Sequence, residues 1–147
     1  MTTSPELKLV FPAYSHKVKK NQGKLYIFEE ISHKYRLLTP EEWVRQHCIH
    51  FLVHSKSYPA SLFQIEGGMK VDKLKRRTDI RIYKPSGEVF MIVECKAPHI
   101  EINLATIQQI SQYQKTQQAQ YLVITNGIQN IILHHSTKIL TEFPPYL

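Results

Sequence analysis

The sequence predicts an α/β domain with a mixed central sheet flanked by helices, and three observations carry that prediction. Apolar runs of strand length recur between turn signals, most clearly Val89-Phe90-Met91-Ile92-Val93 and Tyr121-Leu122-Val123-Ile124-Thr125. Runs apolar at consecutive positions suit strands buried on both faces, as a sheet covered by helices requires. Two stretches, one opening at Thr39-Pro40-Glu41-Glu42 and one from Asn103 to Gln118, have helix length and are placed between the strand segments.

Taken in order, Leu7 to Phe11 is a short extended piece closed by Pro12. HKVKKNQGKLYIFEE then forms a hairpin turning at Asn21-Gln22-Gly23, and residues 1–25 are expected to be a peripheral extension of a single domain spanning 1–147. The first helix has Thr39 as N-cap and Pro40 at its first position, with Glu42 completing a capping-box pattern. It is expected to reach about His54, with Val44, Cys48, Phe51 and Leu52 as its apolar stripe and Trp43 as a core anchor. After Tyr58-Pro59, Ser61 to Ile65 is the first core strand, and Gly67-Gly68 permits a turn or bend. Thr78 to Lys84 and Glu88 to Lys96 follow as strands joined around Lys84-Pro85-Ser86-Gly87, the second ended by Pro98. Beyond the second helix come a strand at Tyr121 to Thr125, a turn at Asn126-Gly127, a last strand from Ile128 to His134 and an irregular EFPPYL tail. The order is helix, three strands, helix, two strands.

Composition narrows the partners. A net charge of +7 and a pI near 9.4 attract polyanions. No apolar run approaches the ~20 residues of a membrane span, and MTTSPELKLV lacks the apolar centre of a secretory signal, so a cytoplasmic protein is expected. Cys48 and Cys95 fall inside predicted elements and are expected to be reduced core residues.

Against this apolar background, Glu94 and Lys96 stand where the longest run ends. If the connection before that run is symmetric about Pro85-Ser86, Tyr83 faces Glu88, Asp79 lies opposite Ile92, and Glu94 is diagonal to Asp79. Asp79, Glu94 and Lys96 then emerge on one face, although a one-residue slip would send Asp79 to the other. Clustered carboxylates favour a hard divalent ion, Mg²⁺ or Mn²⁺, that can orient a water for attack on a phosphodiester. Lys96 would position that water or stabilise charge developing on the phosphate. The bland alternative is an edge salt bridge among Asp79, Lys96 and Arg77 or Arg81. An acid-x-Lys triplet arises at roughly one position in a hundred at average usage, so its place at the strand ends matters more than its occurrence.

Three blocks extend the pattern: LTPEEWVRQ at 38–46, RRTDIRIY with IVECKAP, and QQAQYLVITNGIQ at 117–129. Together they resemble the N-terminal nuclease domain of type I restriction enzyme R subunits, a branch of the PD-(D/E)xK superfamily, over roughly Tyr26 to Leu133. The resemblance implies a restriction-endonuclease-like fold and metal-dependent DNA endonuclease activity. It places the signature acids on Asp79 and Glu94 and the lysine on Lys96. It implies metal support from Glu42, or else Glu41, and from the Cys95 carbonyl. Gln109 and Tyr113, four apart on one helical face, match its Gln-x-x-x-Tyr element. Thr78 stands where the superfamily name has proline. No Gly-x-x-x-x-Gly-Lys-Ser/Thr loop is present, so ATP-driven translocation is not expected of these residues.

Lys73, Lys75, Arg76 and Arg77, just before the Asp79 strand, are the phosphate-contact candidates for DNA. His47, His50 and His54 have helical spacing, but histidines beside an apolar stripe are usually packed or solvated and no cysteine or carboxylate cluster accompanies them, so a zinc site is not expected there. The rival reading is a non-catalytic DNA-binding or assembly module that needs a partner subunit, and either reading admits a homodimer or a restriction-type partner.

Overall fold

Gln22 and Gly23 both adopt positive φ, 52° and 83°, the backbone a two-residue hairpin turn needs. They join β1 (Val18–Asn21) to β2 (Lys24–Glu29), and β3 (Lys34–Leu37) pairs antiparallel with β2. The computed structural model describes residues 8–65, 80–103, 105–109, 118–135 and 138–147. The stretch expected to be peripheral is corrected at Phe11, which is 4% exposed and joins the main core, with Leu9 packed beside it.

The first helix, α1 (Pro40–His50), begins as its cap signals require, with the Thr39 hydroxyl accepting the Glu42 N–H at 3.0 Å. The capping box is only half formed. The Glu42 carboxylate turns to Arg45 and Gln46 instead, where guanidinium and amide donors outbid an N–H at the helix start. The helix continues as a single π-helical turn, Phe51–Ser55. Val44, Cys48, Ile49 and Leu52 are fully buried, and Trp43 is buried as an anchor.

A short 3-10 turn, Ala60–Leu62, takes the place of the first residues of the predicted core strand and leads into the larger sheet. Its strands lie in the spatial order β4 (Phe63–Ile65), β5 (Ile80–Tyr83), β6 (Val89–Cys95), β7 (Tyr121–Thr125), β8 (Asn130–His134) and β9 (Lys138–Leu140). Only β6 and β7 pair in parallel among the described strands, which makes the sheet mixed. A parallel pair needs a crossover connection, and a helical segment at 105–109 lies on it. Asn103 caps that segment, its Oδ1 accepting the Thr106 N–H at 3.1 Å. The rest of the predicted second helix falls mostly on 110–117, outside the described residues. Strands β3 and β9 were not predicted. The tail is irregular as expected, yet anchored: Tyr146 donates to the Tyr83 carbonyl and Phe143 is buried.

The two faces of the sheet serve different layers. Phe90, Met91, Val93 and Cys95 pack with α1, whereas Ile92 packs with Ile102, Leu122, Ile124 and Leu133 on the other side. The β5–β6 register differs from the symmetric expectation. Tyr83 pairs with Val89 rather than Glu88, a bulge follows, and Ile80 pairs with Val93. One residue is gained at the turn and one at the bulge. An even total shift preserves which face each side chain takes.

Candidate functional site

Strand alternation puts Glu94 on the face of Ile92, away from α1. Glu94 and Lys96 meet there, with Nζ 3.2 Å from Oε2 and the two side chains 13% and 29% exposed. The pair is therefore shielded but reachable. Its backbone is fixed by the parallel neighbour, since the Lys96 N–H donates to the Thr125 carbonyl at 2.8 Å, carrying the ladder past Cys95.

The end of β7 is built to hold this corner. Asn126 is 3% exposed, its Oδ1 accepts the Ile128 and Gln129 N–H groups at 2.9 and 2.7 Å, and its Nδ2 donates to the Ile100 carbonyl at 2.8 Å. One side chain thus shapes its own turn and ties down the loop that follows Lys96. The Thr125 hydroxyl accepts the Gly127 N–H at 3.0 Å, and Gly127 takes φ 85°. Sequence reasoning found the turn at Asn126-Gly127 but not this tether. An Asn before Gly signals local turn bonding, and only the fold supplies Ile100.

The remaining predicted residues are distributed as follows. Asp79, Tyr113, Lys73, Lys75, Arg76 and Arg77 lie outside the described residues. The Cys95 side chain is buried against α1, and Cys48 is likewise a buried thiol. Gln109 is exposed on the 105–109 segment, and Glu41 is exposed on α1. Glu42 stands on α1, on the sheet face opposite Glu94, and accepts from Arg45 Nε at 2.9 Å, Arg45 Nη2 at 3.0 Å and Gln46 Nε2 at 2.6 Å. Behind it, the fully buried Glu29 bonds Arg36 and the Ser32 N–H, and lies 3.9 Å from Arg45. The network joins β2 and β3 to α1.

The three histidines of α1 and its π-helical turn separate. His47 is buried with Nδ1 2.8 Å from the Trp43 carbonyl, which can only accept, so Nδ1 carries the proton. Burial, offset in part by that bond, holds its imidazole below the usual range, with His16 and His50 adding to the depression. His50 and His54 stack, and a carboxylate does accompany them: Glu30, from the β2–β3 turn, has Oε2 2.8 Å from His54 Nε2. Sequence alone could not bring together residues 24 positions apart.

No described helix is long and apolar enough to cross a membrane. The family model for the type I restriction enzyme R protein N terminus matches residues 40–144, a span that contains α1 and strands β4 to β9. No curated protein matches the chain.

Proposed function

The chain belongs to the type I restriction enzyme R protein N-terminal family, whose model covers most of its length, and on that premise we propose that it is a metal-dependent DNA endonuclease of PD-(D/E)xK type with a restriction-endonuclease-like fold. The observation that carries the reading is the Glu94–Lys96 pair, held at the end of β6 beside the parallel end of β7. Strand ends of this kind are where open α/β sheets gather ligands.

The register supports a carboxylate partner. Ile80 pairs with Val93, and Asp79 and Glu94 are their respective neighbours in sequence. Asp79, Glu94 and the Cys95 carbonyl offer the oxygen donors that suit Mg²⁺ or Mn²⁺, which when bound would acidify or orient a hydrolytic water. Lys96 holds Glu94 in place and presents its ammonium where charge develops on the phosphate. Glu42 fits that role poorly. Its carboxylate is already engaged by three N–H donors across the sheet, so we assign it to the α1 ion network. Gln109 and Tyr113 would support the site from the crossover helix, and Lys73, Lys75, Arg76 and Arg77 would contact DNA phosphates.

The test is plasmid cleavage by the purified full chain with Mg²⁺, with Mn²⁺ and with chelator, beside Asp79→Ala and Glu94→Ala. Cleavage that needs the ion and both carboxylates is expected. Cleavage indifferent to chelator would refute the mechanism. Salt-sensitive DNA binding with no cleavage under any condition would favour the non-catalytic module, dependent on a partner subunit.

A further inference from the structure

We propose that Glu30, His50 and His54 form a binding site for a divalent transition-metal ion of the zinc class, on the side of the domain served by α1 and separate from Glu94 and Lys96. One ligand atom from each residue lies within 4.8 Å of the others. Ligands of a tetrahedral ion bound at 2.0–2.1 Å stand roughly 3.4 Å apart, so side-chain movements of up to ~1.4 Å close the set. Two imidazole nitrogens and one carboxylate oxygen are a donor set suited to zinc and unsuited to magnesium, which prefers oxygen alone.

The scaffold favours this use. His50 and His54 are four apart, the spacing that sets two imidazoles on one helical face; their rings stack with centroids 4.1 Å apart, and the exposed His54 ring turns out of that stack to share an ion lying in the plane of each imidazole. The turn between them is the π-helical Phe51–Ser55, a deformation frequent at functional sites. Tyr14 also stacks on His50, at 4.1 Å and 16°, which fixes the ring's orientation. Glu30 is held toward the pair by its bond to His54. Three protein ligands leave a fourth position for water, and the ion would clip the β2–β3 turn to the end of α1.

Calorimetric titration of the full chain with Zn²⁺, in excess Mg²⁺ to occupy oxygen-only sites, tests the proposal, with Co²⁺ absorption as a spectroscopic readout. The wild type is expected to bind one ion tightly and to melt at a higher temperature with it. Glu30→Gln, which keeps a hydrogen-bond partner for His54 but removes the carboxylate, and His54→Ala should each weaken binding by at least ~100-fold, the upper end of what loss of a supporting residue costs. Both should abolish the visible Co²⁺ bands. The His54 side chain is 53% exposed, so its loss leaves the fold intact. Equal Zn²⁺ affinity in wild type and both variants, or no tight binding by the wild type, would overturn the assignment.

Discussion

Lys96→Ala separates an ammonium that acts on the reaction from one that only balances a carboxylate. Nζ lies 3.2 Å from Glu94 Oε2 with the side chains 29% and 13% exposed, so the pair is partly hydrated. Solvent screening at that exposure limits its contribution to stability to about 1 kcal/mol. For a chain of this length such a loss lowers the melting temperature by about 3–5 °C. A group that stabilises charge developing in the transition state is worth more, about 2.7–4 kcal/mol, or 10²–10³ in rate. The variant is therefore expected to melt only slightly below wild type, to bind Mg²⁺ and DNA nearly as well, and to cleave at least ~100-fold more slowly. Thermal denaturation and plasmid cleavage on one preparation measure both quantities. A folded Lys96→Ala protein that cuts as fast as wild type would refute the catalytic role.

Glu29→Gln leaves Arg36 and the nearly buried Arg45 facing a neutral group, and should destabilise the fold by about 3 kcal/mol, the low end for a broken buried pair because Arg36 keeps some water; urea unfolding reads this as a lower midpoint at unchanged slope. Gly127→Ala places a Cβ 2.8 Å from Leu9 Cδ2 and 3.1 Å from Val44 Cγ2 at φ 85°, so a loss of about 1–2 kcal/mol from backbone strain alone is expected in the same assay. His47 titrates lower in the folded state than its ordinary 6.5, chiefly through burial. The unfolded chain takes up that proton first as pH falls, so stability is lost from about 6.5 downward until the folded-state value is passed, then levels. Melting temperatures between pH 7.5 and 5 should show this slope, and His47→Gln should flatten it; an unchanged slope would remove His47 as its source.

Much of the architecture could be read from local chemistry. Strands β6 and β7 announce themselves by continuous apolar runs, and α1 by Thr39 and Pro40, because each signal is complete within a few residues. Strand β3 was missed because only Arg36 of its four side chains is even partly buried, leaving no alternation to detect. Strand β9 has the same difficulty, with Ile139 62% exposed. The β5–β6 bulge was missed because turn length fixes register only where the ladder is regular. At the site, Glu94 and Lys96 stood out as charges closing an apolar run. Asn126 and Glu30 did not, since their partners Ile100 and His54 reach them only through tertiary structure.

The parallel pairing of β6 with β7 also bears on how the domain assembles. Strands β5 and β6 are joined by a tight turn and β7 and β8 by another, so each pair can form from neighbouring residues. Joining β6 to β7 must instead close the whole of residues 96–120, at an entropic cost roughly 1–1.5 kcal/mol above that of a short turn. Contacts of that kind slow folding and tend to form after local ones. Glu94 and Lys96 come from one hairpin, Thr125 and Asn126 from the other, and the Lys96 N–H to Thr125 bond lies on the seam. Docking of the two hairpins therefore adds the Thr125 bond and the Asn126 tether that fix the backbone around Lys96, while Glu94 and Lys96 themselves belong to one hairpin.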